Sequence, residues 1–359
     1  MIKTFGDILE IKNGKNQKSV ENPDGKYPIY GSGGIIGWAD DFICEANTVI
    51  IGRKGNINNP IFVERPFWNV DTAFGLVANE TKISPCYLYY FCKNFDFERL
   101  NKTVTIPSLT KTDLLKIKID LPSLKDQKEI ITKLKKIEDI IDLRKQQISM
   151  IDNLIKARFV EMFGDPRINP YGFKKEMLKD TCKVVTGNTP PRTVDEYYGN
   201  FIEWIKTDNI ISGLTNPTTA TECLSEEGMN VSRTVDKNSI LMACIAGSIA
   251  SIGRVCITDR KVAFNQQINA IVPKEYNIYF LYVMLQISKD YLVEEVNMAL
   301  KGILSKSKLE EKIFIVPPME LQEQFAAFVA QVDKSKVVVQ KALDKAQMLF
   351  DSLMQEYFG

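Results

Sequence analysis

Residues 119–130 read IDLPSLKDQKEI, and residues 314–325 read FIVPPMELQEQF. Both stretches join a β-like run to a proline corner and then to the start of a long helical stretch. A glutamine stands at the same place after each corner, Gln127 in the first and Gln322 in the second. The chain therefore contains an internal repeat, and this repeat governs every further inference about its fold.

The repeat continues through the segments that follow the two corners. Apolar residues recur there in alternating steps of four and three, the spacing of a helix that buries one stripe in a coiled coil. Neither segment is interrupted by proline or glycine, so each predicts one long helix, about 57 Å for residues 126–163 at 1.5 Å per residue. A lone helix with one apolar stripe is unstable in water, so we expect the two helices to pack on each other rather than each on its own domain. The predicted seam residues are Ile130, Leu134, Ile137, Ile141, Ile148, Ile151 and Ile155 in the first helix and Phe325, Val329, Val332, Val339, Leu343 and Phe350 in the second.

A globular segment precedes each helix, and the two segments share the order of their motifs. A shift of 195 residues, the separation of Gln127 and Gln322, also aligns Leu109 with Leu304. The segments differ most where surface loops should lie, as expected of one scaffold with two specificities. The sequence thus predicts a mixed α+β fold with a pseudo-two-fold repeat. The predicted order is a globular domain at 1–123, a helix at 124–164, a second globular domain at 165–318 and a second helix at 319–359.

Composition narrows the classes of function. The 359 residues include no histidine, which removes histidine acid–base chemistry and the Ser-His-Asp and Cys-His catalytic arrangements. The seven cysteines form no CxxC pair, so we expect neither a metal site nor a disulfide framework. No apolar run approaches about 18 residues, and the start of the chain does not resemble a signal peptide. We therefore expect a cytoplasmic protein without a membrane span, and a lowered chance of an enzyme.

Two short motifs suggest cofactor chemistry but fit it poorly. GSGGIIG at 31–37 lacks the glycine spacing and the following acidic residue of a dinucleotide loop, and a glycine-rich surface loop that approaches a partner closely is favoured. GNTPP at 187–191 resembles an amino-methyltransferase loop, but Arg192 follows where an aromatic residue is needed. We expect no catalytic residue and no cofactor on this chain.

Several polar loops carry side chains suited to DNA. Arginine matches guanine edges, asparagine and glutamine match adenine edges, and hydroxyls and lysines match phosphates. Each loop alone is a weak signal, but the loops fall at corresponding places in both globular segments. The net charge of +1 means that any DNA contact must come from such local patches. The candidate DNA-binding residues are Arg53, Lys54, Asn56, Asn58, Ser108, Thr110 and Lys111 in the first segment and Thr189, Arg192, Lys206, Ser248, Ser251, Arg254, Asn265, Gln266, Gln267, Ser305 and Lys306 in the second.

The whole chain resembles the specificity subunits of type I restriction–modification systems. The resemblance is carried by YPIYGSGGIIGWADDF (27–42), IIGRKGN (50–56), PSLTKTDL (107–114), the corner IDLPSLKDQKEI and the junction MFGDPRINPYGFKKEMLKDTCKVVTGNTPP (162–191) with EYYGNFIEWIKTDNI (196–210). At 359 residues the chain is short for this family.

The resemblance implies that each globular domain reads one half of a split, asymmetric site in double-stranded DNA. The helices would form an antiparallel coiled coil that sets the spacer between the half-sites and docks two methyltransferase subunits, to which restriction subunits are added. S-adenosylmethionine would bind the methyltransferase subunits and not this chain. The alternatives are a coiled-coil assembly scaffold without sequence reading, and a stand-alone methyltransferase or nuclease.

Overall fold

The structure is a computed structural model that describes residues 1–102, 106–297 and 302–359. The chain forms two compact units. Unit 1 comprises Met1–Lys145 and Lys341–Gly359, and unit 2 comprises Gln146–Gln340. Each unit thus contains a globular part and one portion of each long helix. No helix among the described residues is long and apolar enough to cross a membrane.

Within these described ranges, unit 1 contains nine strands and the helices that pack on them. The strands are β1 Ile2–Thr4, β2 Leu9–Asn13, β3 Tyr27–Gly31, β4 Gly34–Ala39, β5 Thr48–Gly52, β6 Ile61–Val63, β7 Trp68–Asn69, β8 Ala73–Ala78 and β9 Lys118–Asp120. The helices are α1 Phe5–Ile8, α2 Pro85–Asn94, α3 Lys111–Leu114, the first part of α4, Leu124–Phe163, and the last part of the second long helix, α10, Met319–Phe358.

The centre of unit 1 is an antiparallel sheet of order β2-β8-β5-β6. Strand β5, with the sequence TVIIG, is buried along its whole length. This is the expected place for a run of β-branched residues, which pack well on a pleated surface. Helix α2 lays its buried side chains, among them Leu88 and Phe91, against this sheet. Unit 1 also contains a smaller sheet of order β4-β3-β7.

Unit 2 contains the other strands of the described chain. These are β10 Lys174–Met177, β11 Cys182–Thr186, β12 Tyr198–Gly199, β13 Ile202–Ile205, β14 Cys223–Leu224, β15 Thr234–Val235, β16 Ile240–Ala243, β17 Ile245–Ala246, β18 Val255–Ile257, β19 Val262–Phe264, β20 Ile268–Pro273, β21 Gly302–Ile303 and β22 Ile313–Val316. Its helices are α5 Leu178–Thr181, α6 Glu226–Asn230, α7 Ile278–Ile287, α8 Lys289–Val293, α9 Lys306–Glu311, the first part of α10, Met319–Phe358, and the last part of α4.

The central sheet of unit 2, of order β11-β20-β16-β18, has the same plan as that of unit 1. In both units the strand that leads into the long helix pairs antiparallel with the strand that opens the domain: β9 with β1, and β22 with β10. The chain then turns in the same way, with Phe5 N–H donating to Ile117 O and Leu178 N–H donating to Lys312 O, both at 2.9 Å. The internal repeat in the sequence is therefore a repeat of architecture.

In unit 1, the first part of α4 and the last part of α10 share one apolar cluster. The seam residues Leu134, Ile137, Ile141 and Phe350 are buried there with Tyr90 and Met354, and Ile130 and Leu343 pack against the cluster. The aromatic ring of Phe358 lies 5.0 Å from that of Tyr87, between centroids, which ties the end of α10 to α2.

In unit 2, contacts between α4 and α10 run in opposite directions along the two helices. The Lys336 ammonium lies 2.6 Å from the Asp152 carboxylate, and further along α4 the Phe159 ring lies 5.5 Å from that of Phe325. As the residue number rises on α4 it falls on α10, so these two portions are antiparallel. The remaining seam residues of the unit are either buried, as are Ile155, Phe325 and Val329, or half-buried, as are Ile148, Ile151, Val332 and Val339.

Candidate DNA-recognition surface

Two loops of unit 1 that are separate in the sequence are joined by backbone hydrogen bonds. The first is GRKGN, at 52–56, and the second is PSLT, at 107–110. Gly55 N–H donates to Pro107 O at 3.0 Å, and Leu109 N–H donates to Arg53 O at 2.9 Å. Gly55 adopts a φ of +77°, a conformation that glycine tolerates at no steric cost. The candidate residues of the two loops therefore form one polar surface.

Unit 2 contains the same loop junction, that is, a pair of loops joined by backbone hydrogen bonds, but builds it from different residues. Arg53 N–H donates to Thr72 O at 2.7 Å in unit 1, and Cys244 N–H donates to Gln267 O at 2.8 Å in unit 2. Leu304 N–H donates to Cys244 O as Leu109 N–H donates to Arg53 O. The basic pair of the first loop thus corresponds to Cys244 and Ile245, two uncharged residues.

A glycine brings a further loop against each junction. A Cβ added to Gly14 would lie 1.8 Å from Val70 O, and one added to Gly187 would lie 2.3 Å from Asn265 O. Both distances are far inside van der Waals contact, so only glycine fits there. In unit 2 this close approach carries Thr189 to the polar surface, where its hydroxyl donates to the Gln266 amide oxygen.

Some candidate side chains of unit 1 are exposed, whereas others form hydrogen bonds that hold the fold together. Arg53, Lys54 and Asn56 are exposed, and the Arg53 guanidinium lies 5.7 Å from the centroid of the Phe74 ring. Ser108 is half-buried beside them. The others serve the fold: Thr110 caps α3 by accepting from Asp113 N–H at 3.1 Å, Lys111 donates to Ile11 O at 2.7 Å, and Asn58 donates to the Asp96 carboxylate at 2.9 Å.

In unit 2, Glu222 holds two of the candidate cations. The Arg192 guanidinium donates to its two carboxylate oxygens at 3.1 and 2.9 Å, and Lys206 forms an ion pair with the same carboxylate. These hydrogen bonds, from Arg192 first and then Lys206, lower the pKa of Glu222 to about 2. Arg192 is also placed 4.6 Å from the centroid of Tyr198 and 5.1 Å from that of Trp204. A phosphate would have to compete with Glu222 for both cations.

The remaining candidates of unit 2 lie on two loops and at the start of one helix. Gln266 is exposed and Gln267 half-buried, whereas Asn265 is buried and donates to the Gln267 side chain at 3.3 Å. Ser248 and Ser251 share a hydrogen bond of 3.0 Å. Ser305 caps α9, and Lys306 lies 3.5 Å from the Glu310 carboxylate.

Arg254 is half-buried and bound to backbone carbonyls, and its Nε donates to Ser251 O at 3.2 Å. Its guanidinium donates to Thr207 O at 3.3 Å and lines a cavity of about 220 Å³ together with Asp152 and Lys336. A side chain held this way supports the fold of unit 2 and stays a weaker candidate for DNA. Glu222, which forms ion pairs with Arg192 and Lys206, was not identified as a site residue from the sequence, because it lies 30 residues from Arg192.

The two corner glutamines attach each long helix to its globular part. Gln127 is buried, accepts from Ser84 N–H at 2.8 Å, and donates to Lys82 O and Pro122 O at 3.1 and 3.0 Å. Its amide therefore joins the corner, the loop before α2 and the helix itself. Sequence reasoning noted this residue but assigned it no role.

Comparison with known proteins agrees with this duplicated architecture. A family model described as "Type I restriction modification DNA specificity domain" matches residues 1–153 and again residues 170–345. The chain belongs to this family. Its two specificity domains are the two globular parts described above, each with part of a long helix.

Relatives and solved structures of the specificity-domain family extend over most of the chain. It is 23% identical over 331 residues to the type I restriction enzyme MjaIX specificity subunit of Methanocaldococcus jannaschii, covering 85% of this chain and 73% of the relative. It is 32% identical over 120 residues to the HindI specificity subunit of Haemophilus influenzae, covering 33% and 25% of the two chains.

The crystal structure of a type I restriction–modification S subunit from M. genitalium superposes with a TM-score of 0.62 at 16% identity, covering 100% of this chain and 96% of that one. A second structure, from work on complex assembly and conformational transition of the type I system, gives a TM-score of 0.57. The predicted mixed fold with two recognition domains and two long helices is confirmed.

Proposed function

We propose that this chain is the non-catalytic subunit that gives a type I restriction–modification complex its DNA sequence specificity. Each domain reads one half of a bipartite, asymmetric site. The observation that carries the proposal is the duplicated loop junction: the same backbone hydrogen bonds are present in both units, but the side chains on them differ. One scaffold that presents two different polar surfaces suits two different half-sites.

The side chains support different contacts in the two halves. In unit 1, Arg53 and Lys54 favour phosphate or guanine contacts, and Asn56 favours an adenine edge. In unit 2, Gln266 is the exposed edge-reading candidate, and Arg192 and Lys206 become available if a phosphate displaces Glu222. Because the net charge is only +1, partner subunits supply much of the remaining phosphate neutralisation.

The long helices supply the second part of the proposal. Along α4, Ile140 and Leu143 are exposed in unit 1, and Met150 and Leu154 are exposed in unit 2. A contiguous exposed apolar patch is typical of a protein interaction site, and we assign these residues to the binding of two methyltransferase subunits, which bind S-adenosylmethionine. Restriction subunits join this core in the cytoplasm. The helices fix the length of the unread spacer between the half-sites.

The direct experiment is co-expression of this chain with its methyltransferase subunit, followed by mapping of methylated adenines across the host genome. The expected result is one split motif, with two short defined halves around a fixed undefined spacer. Methylation of a continuous palindrome, or the same methylation without this chain, contradicts the proposal and favours a scaffold that does not read sequence.

Two variants separate the roles of the domains and helices. Replacing residues 1–123 with those of a relative that has another target should change one half of the motif and leave the other intact. Inserting one heptad into α4 and one into α10 should change the spacer length or abolish methylation. A change in both halves after the first exchange, or an unchanged spacer after the second, contradicts the corresponding assignment.

A further inference from the structure

The GSGGIIG stretch forms a hairpin whose second strand contains a bulge. Strands β3 and β4 pair Ile29 with Gly37 and then Tyr30 with Ile35, so Ile36 is an extra residue without a partner on β3. In a regular strand, neighbouring side chains face opposite sides, and a bulge redirects one of them. Both isoleucines are consequently exposed, Ile35 to 49% and Ile36 to 57%.

The tip of this hairpin is narrow. A Cβ added to Gly33 or to Gly34 would meet no atom within 4 Å, and Gly34 has a φ of +127° that side chains rarely adopt. The tip, residues 32–33, therefore carries no side chain larger than that of serine, and the two isoleucines follow it on β4. An apolar pair on such a thin element can enter a gap that a helix or a full sheet edge could not.

The hairpin also lies against the basic loop of the same unit. A Cβ added to Gly52, the first residue of GRKGN, would lie 3.1 Å from the Ser32 Cβ at the hairpin tip. Arg53, Lys54 and Asn56 follow on that loop with exposed side chains. The hairpin that carries the exposed isoleucines and the loop that presents cations and an amide are thus adjacent.

We propose that Ile35 and Ile36 form a wedge that enters between two adjacent base pairs at the half-site read by unit 1. This inference rests on the proposed function and extends it from base contacts to DNA deformation. Apolar side chains that insert between base steps unstack them and kink the duplex, and the bend brings more of the duplex to the protein. Arg53 and Lys54 hold the flanking phosphates while the step opens.

A wedge makes half-site selection depend on the flexibility of the opened step. Pyrimidine–purine steps unstack most readily, so such a step is preferred at that position without any hydrogen bond to its bases. Unit 1 would then combine reading by Asn56 with selection by deformability. Because the nearby side chains are cationic, DNA is a better binding partner for this hairpin than an apolar protein surface.

The test uses the reconstituted complex of this chain with its methyltransferase subunit, and a duplex that carries the mapped site with 2-aminopurine at successive positions of the first half-site. With the unaltered chain, fluorescence should rise at one step other than the methylated adenine. The double variant Ile35→Ser/Ile36→Ser should lose that rise and bind the duplex about 10- to 100-fold more weakly. A mismatch placed at the same step should restore most of the lost affinity, because the step is then already open.

Two controls match the double variant. Ile2→Ser alters another exposed isoleucine of unit 1, with 68% exposure, and should change neither fluorescence nor affinity. Ile35→Leu keeps an apolar side chain and should keep the fluorescence rise. If the double variant does not fold, Ile36→Ser alone tests the wedge, because loss of one apolar side chain should reduce the fluorescence rise and an unchanged rise would contradict the wedge.

The outcomes are distinct. Unchanged fluorescence and affinity in the double variant overturn the wedge while leaving sequence reading intact. Failure of the double variant to assemble with the methyltransferase subunit assigns the hairpin to a protein contact and also overturns it. Absence of sequence-dependent binding by the unaltered complex overturns the proposed function and the wedge together.

Discussion

Gln322 makes in unit 2 the hydrogen bonds that Gln127 makes in unit 1. The amide oxygen of Gln127 accepts from Ser84 N–H at 2.8 Å, and that of Gln322 accepts from Asn277 N–H at 2.9 Å. Each amide nitrogen donates to the proline that opens its corner, Pro122 O at 3.0 Å or Pro317 O at 2.8 Å. The repeated corner in the sequence is therefore a repeated attachment of a helix to a domain.

Replacing Gln127 with alanine should destabilise unit 1 by about 1–3 kcal/mol, because buried backbone groups then lose their partner. The midpoint of urea unfolding, followed by tryptophan fluorescence and by circular dichroism, measures the effect. Lys125→Ala, an exposed change on the same turn of α4, is the control and should shift the midpoint little. Equal midpoints for the two variants would show that the hydrogen bonds contribute nothing net.

Two leucines of α4 should separate stability from assembly. Leu134 is fully buried, so Leu134→Ala should lower the free energy of unfolding by about 2–5 kcal/mol. Leu143 is 57% exposed, so Leu143→Ala should leave that free energy nearly unchanged but weaken binding of the methyltransferase subunit. Denaturation of the chain and calorimetric titration with that subunit distinguish the two effects. Undiminished binding by Leu143→Ala would remove this residue from the docking surface.

Glu222→Gln should strengthen DNA binding that is independent of sequence. The change removes the negative charge held by Arg192 and Lys206 and leaves both cations available to phosphates. The slope of log K against log salt should steepen by about 0.9 for each additional phosphate that the protein neutralises. Measurement on a duplex without the mapped site isolates this effect, and Glu226→Gln, an exposed acid of the same unit, is the control. An unchanged slope would place both cations away from DNA.

The Glu222 carboxylate should also make the stability of the fold depend on pH. Its pKa is lowered from 4.5 to about 2 in the folded chain, so the ion pairs stabilise the fold above about pH 4.5 and their contribution is lost as the pH falls toward 2. The difference in urea midpoint between the unaltered chain and Glu222→Gln should therefore be smaller at pH 3.5 than at pH 6, two values that lie roughly on either side of the pKa of glutamate in the unfolded chain. A constant difference would mean that another group causes it.

Asn56→Ala and Gln266→Ala should each relax one half of the recognised motif. Loss of an edge-reading side chain reduces discrimination by about 1–3 kcal/mol at its base pair. Mapping of methylated adenines for each variant reports which half of the motif becomes degenerate. If either variant relaxes both halves, the one-domain, one-half-site assignment is wrong.

The repeat and the helices follow from the sequence because their signals are periodic. Steps of four and three identify the seam, and one shift of 195 residues aligns Leu109 with Leu304, which make equivalent hydrogen bonds. Side-chain partners in loops have no such period. Neither the ion pair of Arg192 with Glu222 nor the hydrogen bond of Arg254 to the Thr207 carbonyl could be predicted, because both depend on how distant loops meet. The bulge at Ile36 depends equally on strand register, which the residues alone leave open.

Unit 1 combines Met1–Lys145 with Lys341–Gly359, whereas unit 2 is one continuous stretch, Gln146–Gln340. During synthesis, all of unit 2 is made before the helix portion that carries Phe350 and Phe358. Until then, Tyr87 and Leu134 in unit 1 have no partner for the apolar surface that these rings cover. The unit whose synthesis begins first is therefore the one whose synthesis is completed last.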